Sequence, residues 1–267
     1  MCRLLGWATR EPATLLEVIG KAALSRFTAL ACLHSDGWGI AWRQPGRGVC
    51  HLKETRAADR SPAFLEIATT LRATAAIVHL RLASSGFAIS PANTHPFVAD
   101  GTAFAHNGYI PHPASLLRLL PDNETARLKG ETDSERYFAV IRQHRASAPD
   151  LPEAVRRAVS QLRELYPEAS LNALILSEDQ LIAVHAHARS RLPDEDIAEI
   201  TAADLPSDHL EDYFGMRWAR PDNGRLVIAS TGFGDLDWHP LPSESVTAIS
   251  MYDLSMASLP LMTPSTP

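Results

Sequence analysis

Cys2 is the residue of this sequence with the most unusual chemical position. Methionine aminopeptidases remove Met1 when the next side chain is small, and cysteine qualifies. Cys2 then carries a thiol and a free α-amine on one carbon. An α-amine titrates near ~7.7–8.0, so part of it is unprotonated at neutral pH and can take a proton. A thiol, with a reference value near ~8.5, needs such a partner to present a thiolate. Nucleophile and base are thus supplied by one residue, without a histidine. Taken alone, a cysteine at position two is better read as a small buried hydrophobe.

Five short segments rich in Gly, Asn and Arg change that balance. They are His34-Ser35-Asp36-Gly37-Trp38-Gly39, Arg81-Leu82-Ala83-Ser84-Ser85-Gly86, Asn93-Thr94-His95-Pro96-Phe97, Ala105-His106-Asn107-Gly108 and Gly130-Glu131-Thr132-Asp133-Ser134-Glu135. Other candidates are weaker. His185 and His187, two apart on one strand face, make half a metal site, but no further ligand sits at a recognisable spacing. A solvated strand face is expected there, and no metal. His95 and His106 are expected to serve in structural hydrogen bonding. Gly232-Phe233-Gly234 lacks the phosphate-loop and dinucleotide spacings, so no nucleotide cofactor is implied, nor any other.

The elements that must position these segments alternate between helical and strand patterns, as in a layered α+β protein. Leu15 to Leu33 reads as a helix. The segments 37–42 and 49–53 read as a hairpin around Pro45-Gly46-Arg47-Gly48. Ser61-Pro62 caps a helix running to about Leu71. Strands are expected over 75–82 and 102–106. Helices are expected over 134–144 and, with Val155, Ala158, Val159, Leu162 and Leu165 at helical spacing, from about Asp150. The segments 171–176 and 181–187 read as a second hairpin, and 226–230 and 246–250 as late strands. The acidic, Pro-containing stretch 190–212 reads as an excursion. One domain over 1–258 is expected, with a frayed tail over 259–267.

Composition narrows the function classes. With 45% hydrophobic and 21% charged residues, the chain has a globular composition and not a disordered one. Its 25 Lys and Arg against 31 Asp and Glu give a net charge of -6, with no basic run to neutralise phosphates, so nucleic acid is not an expected partner. No stretch approaches the ~18 uninterrupted apolar residues of a membrane span, and none is expected. The apolar start before Arg10-Glu11 is too short for a signal peptide. Three widely spaced cysteines, Cys2, Cys32 and Cys50, do not read as a disulfide framework, and a cytoplasmic location is expected.

With Cys2 in front, the ordered segments resemble the class II glutamine amidotransferases, whose catalytic domain is of the N-terminal-nucleophile hydrolase type. The resemblance is in particular to their small stand-alone branch, which includes the γ-glutamyl hydrolase of ergothioneine synthesis. The motifs span Cys2 to Asp133, and Val227-Ile228-Ala229-Ser230 with Trp238 and Pro242 extends the match. The resemblance implies a four-layer αββα fold with two stacked antiparallel sheets. It implies that Cys2 attacks the γ-amide carbon, releases ammonia or an amine, and leaves a γ-glutamyl thioester for water to cleave. Asn107 and Gly108 then match the oxyanion-hole pair, a side-chain amide and a backbone N–H. Alone, Asn-Gly reads as a type I′ hairpin turn. Gly108 would also permit a close approach and an unusual backbone angle.

Arg81 matches the clamp on the substrate carboxylate, for which a planar guanidinium suits bidentate contact. Asp133 matches the partner of the substrate ammonium. Their plain alternatives are a surface salt bridge and a helix N-terminal charge. Ser84-Ser85 stand where many synthetase-linked members carry Thr-His, and Ser84 would replace the Thr hydroxyl as a substrate contact. Asp36-Gly37-Trp38-Gly39 is expected to shape the strand beside the nucleophile. The substrate expected is a small molecule, glutamine or a γ-glutamyl compound. Two enzymatic versions stay open: a glutaminase passing ammonia to a separate synthetase subunit, and a free-standing γ-glutamyl hydrolase. The rival from another class is a non-catalytic protein that binds glutamine-like ligands, keeping Arg81 and Asp133 without needing Cys2.

Overall fold

A computed structural model describes residues 2–83, 86–192, 194–202, 212–222, 224–230 and 236–262, without the side chains of residues 195, 196 and 199. Ser84, Ser85, Gly232-Phe233-Gly234 and the residues 263–267 lie outside these.

In chain order the strands and helices are β1 (Arg3–Ala13), α1 (Leu15–Ala29), β2 (Trp38–Gln44), β3 (Gly48–Glu54), α2 (Pro62–Thr70), β4 (Ala73–Leu80), β5 (Phe97–Ala99), β6 (Thr102–Asn107), α3 (Asp122–Thr125), α4 (Asp133–Arg145), α5 (Leu151–Leu165), β7 (Asn172–Leu176), β8 (Gln180–His185), α6 (Asp194–Ala202), β9 (Arg217–Asp222), β10 (Arg225–Ala229), β11 (His239–Pro240), β12 (Ser245–Ser250) and β13 (Met256–Pro260). The strands form two sheets, ordered β11-β9-β10-β1-β4-β2-β3 and β13-β12-β8-β7-β6-β5. Their pairings are antiparallel.

Three apolar layers hold four structural ones together. Leu15, Val18 and Phe27 of α1 and Phe64 of α2 cover one face of the seven-stranded sheet, against Leu5, Trp7, Trp38 and Val78. Tyr137, Phe138 and Ile141 of α4 and Val155, Val159 and Leu162 of α5 cover the six-stranded sheet, against Phe104, Ile175 and Val184. Between the sheets lie Leu4, Ala8, Ala41, Ala75, Ala103, Ala105, Leu174 and Ile228. This is an αββα sandwich, with alanines and large aliphatic side chains mixed in the layer where the sheets meet.

Sequence periodicity misses β1, the central strand of its sheet, and also β5, β9, β11 and β13. Leu5 and Trp7 face the helices while Leu4 and Ala8 face the other sheet. A strand covered on both sides shows no polar alternation to detect. The helix expected over Leu15–Leu33 differs too. It is interrupted at Gly20, whose φ is +81°, and it ends in a 3-10 turn over Leu30–Cys32. Its start is set by a capping box, with Thr14 accepting from the Glu17 N–H at 3.1 Å and Glu17 from the Thr14 N–H at 2.8 Å. The tail expected from Leu259 begins inside a strand, since Leu259 and Pro260 pair with Val246 and Ser245. The excursion carries α6, whose Ile200 packs with Tyr213 and Phe214 against Leu33.

Gly39 on β2 is where the loop holding His95 and Pro96 crosses the sheet. A Cβ there would stand 2.8 Å from Pro96 Cδ and still closer to the His95 carbonyl oxygen. Since backbone cannot step aside as a side chain can, Gly39→Ala is expected to cost about 2–3 kcal/mol. The check is a lower urea midpoint with an unchanged slope.

Candidate active site

Strand pairing brings the motifs to one end of the sandwich. Cys2 enters β1, whose Arg3 lies opposite Leu80 of β4, so Arg81 and Leu82 emerge next to it. Asn107 ends β6 of the other sheet. The Cys2 backbone N–H donates to Asn107 Oδ1 at 3.2 Å, joining the two sheets across the candidate site. The Cys2 thiol donates to the Leu82 carbonyl at 3.6 Å. With Oδ1 occupied, the Asn107 amide has a fixed orientation, and its buried Nδ2 has no hydrogen-bond partner among the described residues. Such an orphaned donor is rare in a folded interior and points to an acceptor supplied from outside.

Gly108 follows the end of β6 and is no hairpin turn, since β6 pairs with β7 through Asn107 and Asn172. Its backbone is not in the left-handed region. What it provides is the missing Cβ, which would sit 2.7 Å from His106 Nε2 and closer still to the Ser170 carbonyl oxygen. The close approach expected of this glycine is present; the unusual angle is not.

Arg81 is buried and is not in a surface salt bridge. Its guanidinium reaches only two carbonyls at 3.4 Å, those of Asp36 and Ala88, and among the described residues no carboxylate pairs with it. Asp133 is also buried, on the first turn of α4, where Thr132 and not Asp133 is the cap. Its carboxylate accepts from the Ile110 N–H at 2.8 Å and the Ser134 N–H at 2.8 Å. Both charges act on the thiol. Burial raises the Cys2 thiol above its ordinary value, the positive chain terminus and Arg81 pull it down, and Asp133 pushes it up. A buried cation and a buried anion that lack ionic partners among the described residues suit a ligand bearing both opposite charges.

The other motifs brace this arrangement. Asp36-Gly37-Trp38-Gly39 pairs with the end of β4, the strand beside Cys2's β1, with Trp38 opposite Leu80 and Gly39 opposite His79. It also holds the Arg81–Ala83 segment: the Gly37 carbonyl accepts from the Arg81 N–H at 2.8 Å and the Asp36 carboxylate from the Ala83 N–H at 2.8 Å. Asn93 donates to the Ala88 carbonyl at 3.1 Å and accepts from the Glu131 N–H at 3.1 Å, tying two motifs together. Ser230 at the end of β10 accepts from the Leu4 N–H at 3.0 Å.

Beneath these residues lies a layer of buried histidines, of which His79 drew no attention in the sequence because it lacks a motif. His79 Nε2 faces the His106 carbonyl at 3.2 Å, so it carries the hydrogen, and Nδ1 has no partner among the described residues. The His95 ring lies 4.1 Å from that of His79, and neither of its nitrogens has a hydrogen-bond partner among the described residues. The hydrogen bonding expected of His95 is therefore not found. His106 does bond, accepting from Ser134 at 2.9 Å and donating to the Ser170 carbonyl at 2.8 Å. His185 and His187 do not form a solvated face. They stack with centroids 4.7 Å apart and Nε2 atoms at 2.8 Å, and His185 Nδ1 donates to the Leu241 carbonyl at 2.9 Å.

Burial lowers His79 to about 3 and lowers His95 far below the usual imidazole value. Both rings are neutral in the fold and take up protons near ~6.5 when unfolded. The unfolded state therefore binds more protons below that value, so stability must fall as pH drops. From pH 7 to 5, unfolding free energy is expected to decline by at least about 2 kcal/mol, read from urea midpoints. A flat profile over that range would contradict neutral buried rings.

Comparison with known proteins agrees with this geometry. Residues 1–244 match the family model of the class-II glutamine amidotransferases. The chain is 35% identical over 101 residues to a glutamine–fructose-6-phosphate aminotransferase (isomerizing) of Xanthomonas campestris pv. campestris, covering 38% of this chain and 16% of that protein. It is 26% identical over 160 residues to the probable glutamine amidotransferase DUG3 of Saccharomyces cerevisiae, covering 53% and 44%. The chain thus spans less than half the length of these curated relatives. Among solved structures, a glutamine aminotransferase class-II domain protein from Silicibacter pomeroyi superposes with a TM-score of 0.65 at 18% identity, over 98% of this chain and 100% of that one. The glutamine phosphoribosylpyrophosphate amidotransferase of B. subtilis gives 0.60 at 17% identity, over 97% and 49%. At such identities the likeness establishes the fold. With the family match covering most of its residues, the chain belongs to the class-II glutamine amidotransferases.

Proposed function

We propose that this chain cleaves a γ-glutamyl amide bond, in glutamine or a γ-glutamyl conjugate, with Cys2 as the nucleophile. The observation that carries the reading is Asn107, whose Oδ1 is engaged by the Cys2 nitrogen while Nδ2 is buried without a partner. Removal of Met1 turns that nitrogen into an amine, which takes the thiol proton as Sγ attacks the γ-carbonyl carbon. Charge developing on the carbonyl oxygen is met by Asn107 Nδ2 and the Gly108 N–H. Collapse breaks the C–N bond, and the departing nitrogen takes the proton held by the α-amine. Water then cleaves the thioester, releasing glutamate and restoring the thiol.

Arg81 takes the substrate α-carboxylate and Asp133 the α-ammonium, with Ser84 contributing its hydroxyl. Ser84-Ser85 in place of Thr-His supports a place in the stand-alone branch that includes the ergothioneine-pathway γ-glutamyl hydrolase. Three free cysteines are compatible with a reducing compartment such as the cytoplasm. Transfer of ammonia to a separate synthetase subunit is the second reading, drawn from the aminotransferases that the chain matches in part. Glutamine turnover with and without candidate partners separates the two.

Intact mass before and after a diazo-ketone analogue of glutamine tests the nucleophile. The expected result is loss of the Met1 mass and a single adduct on Cys2, blocked by glutamine. A processed protein that never reacts would overturn the glutamine version. Asn107→Ala is expected to lower turnover by about 10²–10³-fold, measured as glutamate release.

A further inference from the structure

Next to the Asn107–Gly108 segment is a cavity of about 430 Å³, within the ~300–1,000 Å³ typical of small-molecule sites. Its wall is mostly apolar and includes Tyr109, Tyr166 and Phe214, with Arg191 and Glu168 as the ionic groups. Neither Arg191 nor Glu168 has an ion pair or hydrogen bond among the described residues. The cavity adjoins the candidate site through two residues. Tyr109 directly follows Gly108, and Ser170, also in the wall, donates its hydroxyl to the Asn107 carbonyl at 2.8 Å.

Arg191 lies at the start of the segment 190–212 that the sequence marked as an excursion, and Phe214 lies just past its end. The residues that follow the segment are tied to both halves of the site. Arg3, fully buried and next to Cys2, donates through Nη1 to the Tyr213 carbonyl at 3.0 Å and stacks its guanidinium 3.8 Å from the Tyr213 ring centre. Asn172, the partner of Asn107 across β6 and β7, donates to the Phe214 carbonyl at 2.6 Å. Leu82, whose carbonyl meets the Cys2 thiol, packs against the same apolar cluster as Tyr213 and Phe214. The aromatic wall is therefore held in register with the nucleophile and the oxyanion donors.

We propose that this cavity receives the amine half of a γ-glutamyl dipeptide whose second residue is aromatic. The inference rests on the γ-glutamyl reading and names its substrate class. When Sγ displaces the amide nitrogen, the leaving group is an amino acid carrying a carboxylate and, once protonated, an ammonium. Arg191 meets the carboxylate and Glu168 the ammonium, while the ring lies among Tyr109, Tyr166 and Phe214. Ammonia would engage none of these groups.

The test compares kcat/KM of the processed protein for L-glutamine, γ-L-glutamyl-L-phenylalanine and the C-terminal amide of that dipeptide. The dipeptide is expected to exceed glutamine by tenfold or more, and its amide to fall about tenfold below the acid. Arg191→Met, at an exposed position, is expected to lower the dipeptide-to-glutamine ratio about tenfold and to erase the acid-to-amide difference. Glutamine turned over as well as the dipeptide, or a ratio unmoved in Arg191→Met, would overturn the cavity assignment alone. No turnover of any substrate, with Cys2 unlabelled by the diazo-ketone, would overturn the γ-glutamyl reading along with it.

Discussion

The hydrogen bond from the Cys2 nitrogen to Asn107 Oδ1 crosses from one sheet to the other, and the candidate site exists only because the sheets stack in one register. Cys2 leads into β1 and Asn107 closes β6, 105 residues later. Their meeting depends on how closely the sheets approach. The shared layer mixes Ala8, Ala41, Ala75, Ala103 and Ala105 with larger residues such as Leu174, Leu176 and Ile228. At Gly6 the packing is close, since a Cβ there would stand 3.1 Å from Leu174 Cδ1. Larger residues in that layer would push the strand ends apart and break the bond that orients the Asn107 amide.

Electrostatics follow from the same burial. Water is excluded from the thiol, so its pKa rises, and an unassisted thiolate is disfavoured. Under the proposed function, a base on the same residue would answer that difficulty without placing a further charge in the interior. Arg81 donates to the Asp36 and Ala88 carbonyls and Asp133 accepts from the Ile110 N–H, and among the described residues the two do not pair with one another. Below, His79 and His95 contribute packing, and His79 a hydrogen bond, with no positive charge, because burial holds both neutral.

The positions that resisted sequence reading share a physical cause. β1 carries apolar residues on both faces and so has neither the period of an amphipathic strand nor that of a helix. The helix after it was expected to run through Gly20, because one glycine in an apolar pattern is tolerated until backbone angles are known. His185 and His187 were read as facing solvent from their two-residue spacing, yet spacing says only that they share a side. Leu241 and Phe214, distant in sequence, close over that side.

By itself the sequence singled out the candidate residues: a cysteine next to Met1, an Asn-Gly pair, an arginine and a Thr-Asp helix start, in an order that resembles one family. It also determined most helix starts, because capping residues such as Thr14, Ser61 and Asp150 act on backbone within three positions. Tertiary structure alone decided which atoms face one another. The Asn107 amide donor and the Arg81 charge, without a hydrogen-bond acceptor and a carboxylate respectively among the described residues, and the aromatic cavity beside Gly108 all depend on groups tens to hundreds of residues apart. A hydrogen bond or an ion pair is set by distances of a few ångströms, and no local pattern encodes a distance across two sheets.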